Sequence, residues 1–366
     1  MTKAALKQLE VATGFRTNPH GLVMSMALEG HLDLPDSINY DWVHSALQQG
    51  VLTSEVEAIL EASVVPRSDL QAFLADATWE YPGIRRQKAR YLHRVFDPRR
   101  VPTDDQRRVK ASCSELLGLY GLLRCFFNLR LAGDPDFAPH LASFNSLCTG
   151  LDMILSLKRG LRRIDPRSVS ELEDILGQHL TQHVAVYGDR NVRPKHHWLL
   201  DCPQQFLRDA IVLDAFVIER GHLDVKAIAE LVKNTRAYER SVLTGVLCNA
   251  LQDSRGNRFA VGLVGRTAVV PGGGFVVADR AAANFQEFAV GEMVVQGDST
   301  GMIKACAEEA GDLFFLVLPF RLLEQHAPGC GTFAEGDGLV VWEPNDVCHA
   351  LAWRHRSDGS MFVVCR

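Results

Sequence analysis

The chain of 366 residues lacks any Cys-x-x-Cys pair, although it contains nine cysteines. The cysteines are scattered and odd in number, which argues against a disulfide framework and against a cysteine zinc site. No stretch approaches the run of about 18 apolar residues that a membrane span requires, and the longest candidate, 210–218, is interrupted by Asp214. The first ten residues also lack the apolar core of a signal peptide. We therefore expect no membrane association and an intracellular location, nuclear or cytoplasmic.

The sequence also lacks an overall excess of basic residues. Its net charge is -5, which excludes a uniformly basic nucleic-acid coat protein. Residues 85–110 are the exception, with ten Lys or Arg against three Asp or Glu and a net charge of +7. We call this segment the basic island. It is read either as a DNA-phosphate contact or as a solvated helix face with a loop. Its candidate contact residues are Arg85, Arg86, Lys88, Arg90, Arg107, Arg108 and Lys110.

The pattern of apolar residues divides the chain into two parts. Hydrophobic residues make up 47% of the sequence, which is enough for a large core, and the length favours two domains. Residues 1–252 are predicted to be mainly helical, and residues 253–366 to form an all-β barrel or sandwich, α+β overall. The helices are predicted at 111–131, 144–157, 170–187 and 209–233. Short strands are predicted at 258–264, 267–270, 274–278, 292–296, 313–319, 338–343, 350–354 and 361–364.

Two polar helix faces are candidates for a metal site. Glu219, His222 and Lys226 share one face at i, i+3 and i+7, and Asp41 and His44 share another. A satisfied cluster of ion pairs is the preferred interpretation of the first face, and helix capping is that of Asp41. Together the two faces can instead form a divalent-metal site.

Four histidines form two further candidates. In the segment Arg193-Pro-Lys-His-His-Trp198, we expect either His196 or His197 to reach a polar site. His179 and His183, at i and i+4, have the spacing of zinc ligands. No third ligand is evident near them in the sequence, so packing against other helices is the preferred interpretation.

The order of these segments resembles the later part of transposases from eukaryotic cut-and-paste DNA elements of the Kyakuja, Dileera and Zisupton type. The resemblance covers roughly residues 35–245. Its motifs are Asp41-Trp-Val-His44 followed by Gly50-Val51 and Glu55, then Pro194-Lys-His-His-Trp198, then Glu219-Arg-x-His222-x-x-x-Lys226. It implies a partial RNase H-like core with a helical insertion.

The resemblance also implies roles for individual residues. Asp41 and Glu219 match acidic ligands of a DDE-type site for two Mg²⁺ or Mn²⁺ ions, which would promote phosphoryl transfer on DNA. His44, His196, His222 and Lys226 match groups that support those ligands or face phosphate. The first catalytic aspartate has no counterpart, because only Asp33 and Asp36 precede Asp41 closely.

Three functions follow as expectations. The preferred one is a remnant or domesticated DNA-transposon protein that contacts DNA through the basic island and has little or no strand-transfer activity. The second is a Mg²⁺-dependent nuclease or transposase that uses Asp41 and Glu219. The third is a protein-interaction scaffold in which the β-rich part is the working surface.

Overall fold

A computed structural model of the chain describes most of its residues. The described residues are 7, 39–63, 65–76, 78–82, 91–100, 109–214, 225–226, 228–232, 238–255, 261–270, 274–283 and 286–365. Every statement about structure below refers to these ranges.

The first part of the chain is helical, as its apolar periodicity predicts. The helices are α1 (Trp42–Ala46), α2 (Val51–Ala62), α3 (Arg67–Ala75), α4 (Cys113–Leu131), α5 (Ala138–Lys158), α6 (Pro166–Tyr187), α7 (Pro194–Asp209) and α8 (Tyr238–Arg255). Short 3₁₀ turns lie at Leu92–Phe96, Pro98–Arg100, Pro135–Phe137, Asp189–Asn191 and Pro344–Asp346.

The second part is one antiparallel sheet. Its strands are β1 (Gly262–Val269), β2 (Val276–Ala283), β3 (Gln286–Ala289), β4 (Met293–Gln296), β5 (Ser299–Glu309), β6 (Asp312–Ala327), β7 (Cys330–Glu335), β8 (Val340–Trp342), β9 (Val347–His349), β10 (Ala352–His355) and β11 (Met361–Val364). The main path runs β1-β2-β5-β6-β7-β11-β10. Because β1 and β10 do not pair within the described residues, the sheet is not closed there. The α+β class is therefore confirmed, whereas a barrel is not.

Two features of the secondary structure differ from the prediction. A helix was predicted to start at Asp209, but Asp209 is the last residue of α7, and Ala210 follows with a left-handed φ of 52°. Residues 211–214 are not helical, and the described residues 225–226 are helical. The rest of the predicted helix between them lies outside the described residues. Strands β3, β5, β7 and β9 were not predicted. Strands β5 and β7 contain glycine and charged residues, which weaken the strand signal, and β3 and β9 are only four and three residues long.

Side chains from the sheet complete the core of the helical part. Ala327, Cys330, Leu351, Ala352, Phe362 and Val364 belong to the same buried apolar cluster as the helices α1–α7. The sulfur atoms of Cys125 on α4 and Cys330 on β7 lie 2.8 Å apart at this junction. The two parts therefore bury apolar surface against one another, and a division into separate domains at residue 252 stays a prediction.

A close turn between α1 and α2 fixes the start of α2. Gly50 is the N-cap of α2, and its carbonyl accepts the Ser54 N–H. A Cβ at Gly50 would lie 2.7 Å from the carbonyl carbon of Ala46 and closer still to the backbone oxygen of Ser45. Only glycine fits this approach of two backbone segments. The turn matters because α2 carries a buried carboxylate, described below.

We predict that Gly50→Ala lowers the free energy of unfolding by about 1–3 kcal/mol, the usual cost of overpacking against atoms that cannot move aside. Gly133→Ala is the matched control, since a Cβ there meets nothing within 4 Å. Urea titration of both variants measures the effect. Equal midpoints for the two variants would contradict the steric argument.

Candidate metal centre

Glu55 is a fully buried carboxylate in the middle of an apolar helix face. It lies on α2, where Leu52, Val56 and Ile59 pack into the core and have no exposed surface. Glu55 is equally buried, with 0% of its surface exposed. An ionised carboxylate in such surroundings is costly unless hydrogen bonds or a cation compensate it.

His179 and His183 occupy the same kind of position on α6. The buried residues of this helix are Ser168, Val169, Leu172, Leu176, His179 and His183, so the two histidines continue an apolar stripe at three- and four-residue spacing. Their exposed fractions are 2% and 1%. Two polar imidazole rings thus occupy core positions of α6 at which an apolar residue such as leucine is usual.

The side chains of α2, α5 and α6 converge on one oxygen atom. Glu55 Oε1 lies 2.8 Å from His179 Nε2 and 2.7 Å from His183 Nδ1. It also accepts a hydrogen bond of 2.7 Å from the Ser143 hydroxyl on α5. Glu55 and the two histidines form the only group of three potential metal ligands found within reach of one another among the described residues. We call these three side chains, with His196, the Glu–His cluster.

The electrostatics of the cluster favour a charged carboxylate. Burial raises the pKa of Glu55, but the hydrogen bonds and positive potential of His179 and His183 outweigh it and lower that pKa to about 2. Glu55 is therefore ionised at neutral pH. An ionised carboxylate beside imidazole nitrogens is a donor set suited to a divalent transition metal.

His196 brings a third imidazole to the cluster from α7. Its ring centroid lies 4.6 Å from that of His183, and its ring is parallel to that of His179 at 6.3 Å. Burial, then repulsion from the two other histidines, lowers the pKa of His196 to about 4. The ring is consequently neutral at pH 7. The sequence predicted that either His196 or His197 reaches a polar site; His196 is buried beside the histidines that bind Glu55, and His197 is exposed.

Several buried polar atoms of the cluster make no hydrogen bond. They are Glu55 Oε2, His183 Nε2 and His196 Nε2. The Tyr187 hydroxyl lies within reach of a hydrogen bond to the Glu55 carboxylate, and burial together with the charge of Glu55 raises the pKa of Tyr187. Buried polar atoms are almost always paired, and leaving one unpaired costs about 1–3 kcal/mol. The nitrogens His183 Nε2 and His196 Nε2 therefore lack a protein partner among the described residues, whereas Tyr187 can donate to Glu55.

The cluster fits a metal ion with small adjustments. Zn²⁺ binds nitrogen and carboxylate oxygen at about 2.0–2.2 Å in tetrahedral geometry, which sets ligand atoms about 3.3 Å apart. The distances of 2.7 and 2.8 Å from Glu55 Oε1 are about half an ångström shorter than this. The nitrogens of His179 and His183 lie within 4.8 Å of each other, so rotation of the three side chains has to bring all three ligand atoms to the tetrahedral spacing.

The residues of the predicted Asp41–Glu219 site lie partly outside the described ranges. Asp41 is the N-cap of α1, where its carboxylate accepts the N–H groups of Val43 and His44 and also contacts the His44 ring. Glu219 and His222 lie outside the described residues, and Lys226 is exposed. A site shared by Asp41 and Glu219 thus stays a prediction.

The basic island is described only in part. Arg85, Arg86, Lys88, Arg90, Arg107 and Arg108 lie outside the described residues. Of the described members, Arg99 pairs with Asp97 at 2.7 Å while 90% of its side chain is exposed, and Arg100 pairs with Glu115 at 2.9 Å. Lys110 is exposed. DNA contact by the island also stays a prediction.

The pKa of His196 predicts a pH-dependent stability in the presence of a metal chelator. Its folded pKa of about 4 lies below the ordinary value of 6.5, so the unfolded chain binds the extra proton first. Stability is therefore present above pH 6.5 and is lost as the pH falls toward 4. The loss is on the order of 3 kcal/mol at 1.36 kcal/mol per pKa unit.

Denaturant unfolding at several pH values between 4 and 7 measures this loss. His196→Gln should flatten the profile in that window, whereas His197→Ala, which changes the exposed neighbour, should retain it. A His196→Gln profile as steep as that of the unaltered protein would contradict the assignment.

The function of this chain is inferred from the contacts of the Glu–His cluster and from the charge of the basic island. Comparison with protein-family models, with curated proteins and with solved structures finds no match to this chain. Within the described residues, no helix combines the length and the apolar character needed to cross a membrane.

Proposed function

We propose that this chain binds one divalent transition-metal ion, Zn²⁺, through Glu55, His179 and His183, and that the ion stabilises the helical part. The observation that carries the proposal is the convergence of two imidazole nitrogens on a buried carboxylate beside polar atoms that have no partner. A metal with an oxygen ligand would provide an acceptor for His196 Nε2, which has none among the described protein atoms.

The donor set favours zinc over the ions expected at a DDE-type site. Mg²⁺ prefers an octahedral shell of oxygen atoms and retains several waters, which two imidazoles in a buried cluster do not provide. Imidazole with carboxylate suits Zn²⁺, which accepts three or four protein ligands in a tetrahedral arrangement. The proposed cofactor of this cluster is thus zinc, and Mg²⁺ or Mn²⁺ remains proposed only for Asp41 and Glu219.

The burial of the cluster supports a structural role for the ion. Glu55, His179, His183 and His196 expose between 0% and 3% of their surface, so a substrate larger than water does not reach them. They come from α2, α6 and α7, and Ser143 adds α5. An ion bound by Glu55, His179 and His183 would join α2 to α6, since Glu55 and His183 are 128 residues apart in the chain, and its binding energy would add to folding stability.

We predict that protein prepared with Zn²⁺ contains about one zinc per chain, and that Glu55→Gln and His179→Ala each reduce the content severely. Glu55→Gln keeps the volume of the side chain and tests the charge, so loss of zinc there is not a packing effect. Elemental analysis after dialysis measures the content. Wild-type zinc content in both variants would contradict the proposal.

Removing the ion should destabilise the protein by mass action. At a free zinc concentration of a thousand times Kd, bound ion adds about 4 kcal/mol to the unfolding free energy. Chelator should therefore lower Tm for the unaltered protein and for His197→Ala, but change Tm little for Glu55→Gln. Readdition of Zn²⁺ should restore Tm, whereas Mg²⁺ should not.

A second function, contact with DNA through the basic island, is favoured by a separate observation. The island carries a net charge of +7 in a chain whose net charge is -5, and the Arg99 side chain is 90% exposed. Local excess charge of this kind attracts phosphate and gives binding that weakens with salt. The proposal includes an origin in a DNA-transposon protein with a partial RNase H-like core, and a nuclear location.

We predict that changing Arg85, Arg86, Lys88 and Arg90 to Ala reduces the salt dependence of duplex-DNA binding. Loss of up to four phosphate contacts should lower the slope of log K against log salt by up to about 3.6, at about 0.9 per contact. A filter-binding or anisotropy titration at several salt concentrations measures the slope. Equal slopes would remove the DNA proposal without affecting the metal proposal.

The matched control has the same change in net charge at exposed positions away from the island. Its four substitutions to Ala are Arg163, Arg167, Arg190 and Lys304. A slope reduced equally in both variants would indicate a general charge effect and not a DNA-contacting island.

A further inference from the structure

One ring nitrogen of His196, the third imidazole of the Glu–His cluster, already accepts a hydrogen bond. His196 Nδ1 accepts the backbone N–H of Arg193 at 3.1 Å, at the start of α7. A backbone N–H is always a donor, so Nδ1 carries no proton. The proton of the ring therefore lies on Nε2, on the opposite side of the ring.

A protonated Nε2 donates and does not ligate a metal. For His196 to become a ligand, its proton would have to move to Nδ1, where the Arg193 N–H already points. That hydrogen bond would then break, and the first turn of α7 would lose the partner of a free N–H group. His179 and His183 would also have to move the proton that each donates to Glu55 onto the opposite ring nitrogen. For His183 that nitrogen, Nε2, makes no hydrogen bond, so the shift breaks no contact comparable to that of His196 with the Arg193 N–H.

His196 Nε2 nevertheless lies in the cluster and needs an acceptor. The ring centroid is 4.6 Å from that of His183, only 3% of the residue is exposed, and Nε2 makes no hydrogen bond. A narrow gap beside His179 and His196 is lined by apolar residues, including Val51, Leu176 and Leu199. A small oxygen ligand on the metal would provide the acceptor that protein atoms do not.

We infer that His196 is a positioning residue which donates from Nε2–H to a fourth, non-protein ligand of the metal, a water or hydroxide oxygen. The inference rests on the proposed function of the cluster. The centre then has three protein ligands, Glu55, His179 and His183, and one exchangeable oxygen in a buried site. Such a centre admits only water or a similarly small anion at its fourth position.

His196 can act at the centre in two ways, as a hydrogen-bond donor or as a metal ligand, and both give the same metal content. If His196 donates to the oxygen, the metal has two imidazole ligands. If His196 is itself a ligand, the metal has three. Hydrogen-bond partners outside the ligand shell typically change metal affinity by about 10- to 100-fold, whereas loss of a ligand abolishes stoichiometric binding.

Co²⁺ is the probe, because its visible absorption reports the ligands of a tetrahedral site. The full chain is loaded with Co²⁺ in the unaltered form and as His196→Ala, His196→Gln, His179→Ala and the control His197→Ala. X-ray absorption on the unaltered protein counts the imidazoles. Circular dichroism establishes that each variant is folded.

We expect two imidazoles and two oxygen ligands in the unaltered protein. His196→Ala should retain one Co²⁺ per chain with about 10-fold weaker binding and a shifted visible band. His196→Gln should lie closer to the unaltered protein, because its amide N–H reaches the place of Nε2–H. His197→Ala should match the unaltered protein, and His179→Ala should lose stoichiometric binding.

Two outcomes would overturn the inference. If His196→Ala loses the metal as fully as His179→Ala, and three imidazoles are counted, His196 is a ligand. If His196→Ala matches the unaltered protein in affinity and spectrum, it has no role at the centre. A different outcome concerns the proposed function: no stoichiometric binding by the unaltered protein, or full binding by His179→Ala, would remove the metal centre itself.

Discussion

A single buried negative charge constrains the helical part of this protein. Glu55 has no exposed surface, and its carboxylate is ionised because donors from two other helices stabilise the charged form. Those donors have to be in place whenever the core is closed. The positions of His179, His183 and Ser143 thus fix how α2, α5 and α6 pack, since a shift of any one helix would leave the charge unpaired.

The same constraint explains how the metal proposal and the hydrogen-bond network relate to each other. The network satisfies Glu55 Oε1 with three donors, but it leaves nitrogen atoms of His183 and His196 without partners. An ion with an oxygen ligand would use the carboxylate and the histidine nitrogens that face it, and its oxygen would accept from His196 Nε2. We therefore interpret the cluster as a metal-binding site whose hydrogen bonds hold its ligands in position. The residues that would bind the ion also determine how the helices pack.

The sequence predicted the general architecture better than the site. The α+β class followed from apolar periodicity, and the helix predicted at 111–131 agrees closely with α4. The zinc spacing of His179 and His183 was recognised, but their third partner was not, because Glu55 is 124 residues away. A local signal did exist: each of the three residues occupies a core position of an amphipathic helix. Their convergence depends on helix packing, which no local pattern encodes.

The contribution of strand β11 to the core has a consequence for biosynthesis. Phe362 and Val364 fill space among side chains of α4, which the ribosome produces more than 200 residues earlier. The helical part therefore cannot complete its interior before β11 has left the ribosome. Until β11 emerges, apolar surface remains accessible, and nascent chains at this stage are natural clients for chaperones.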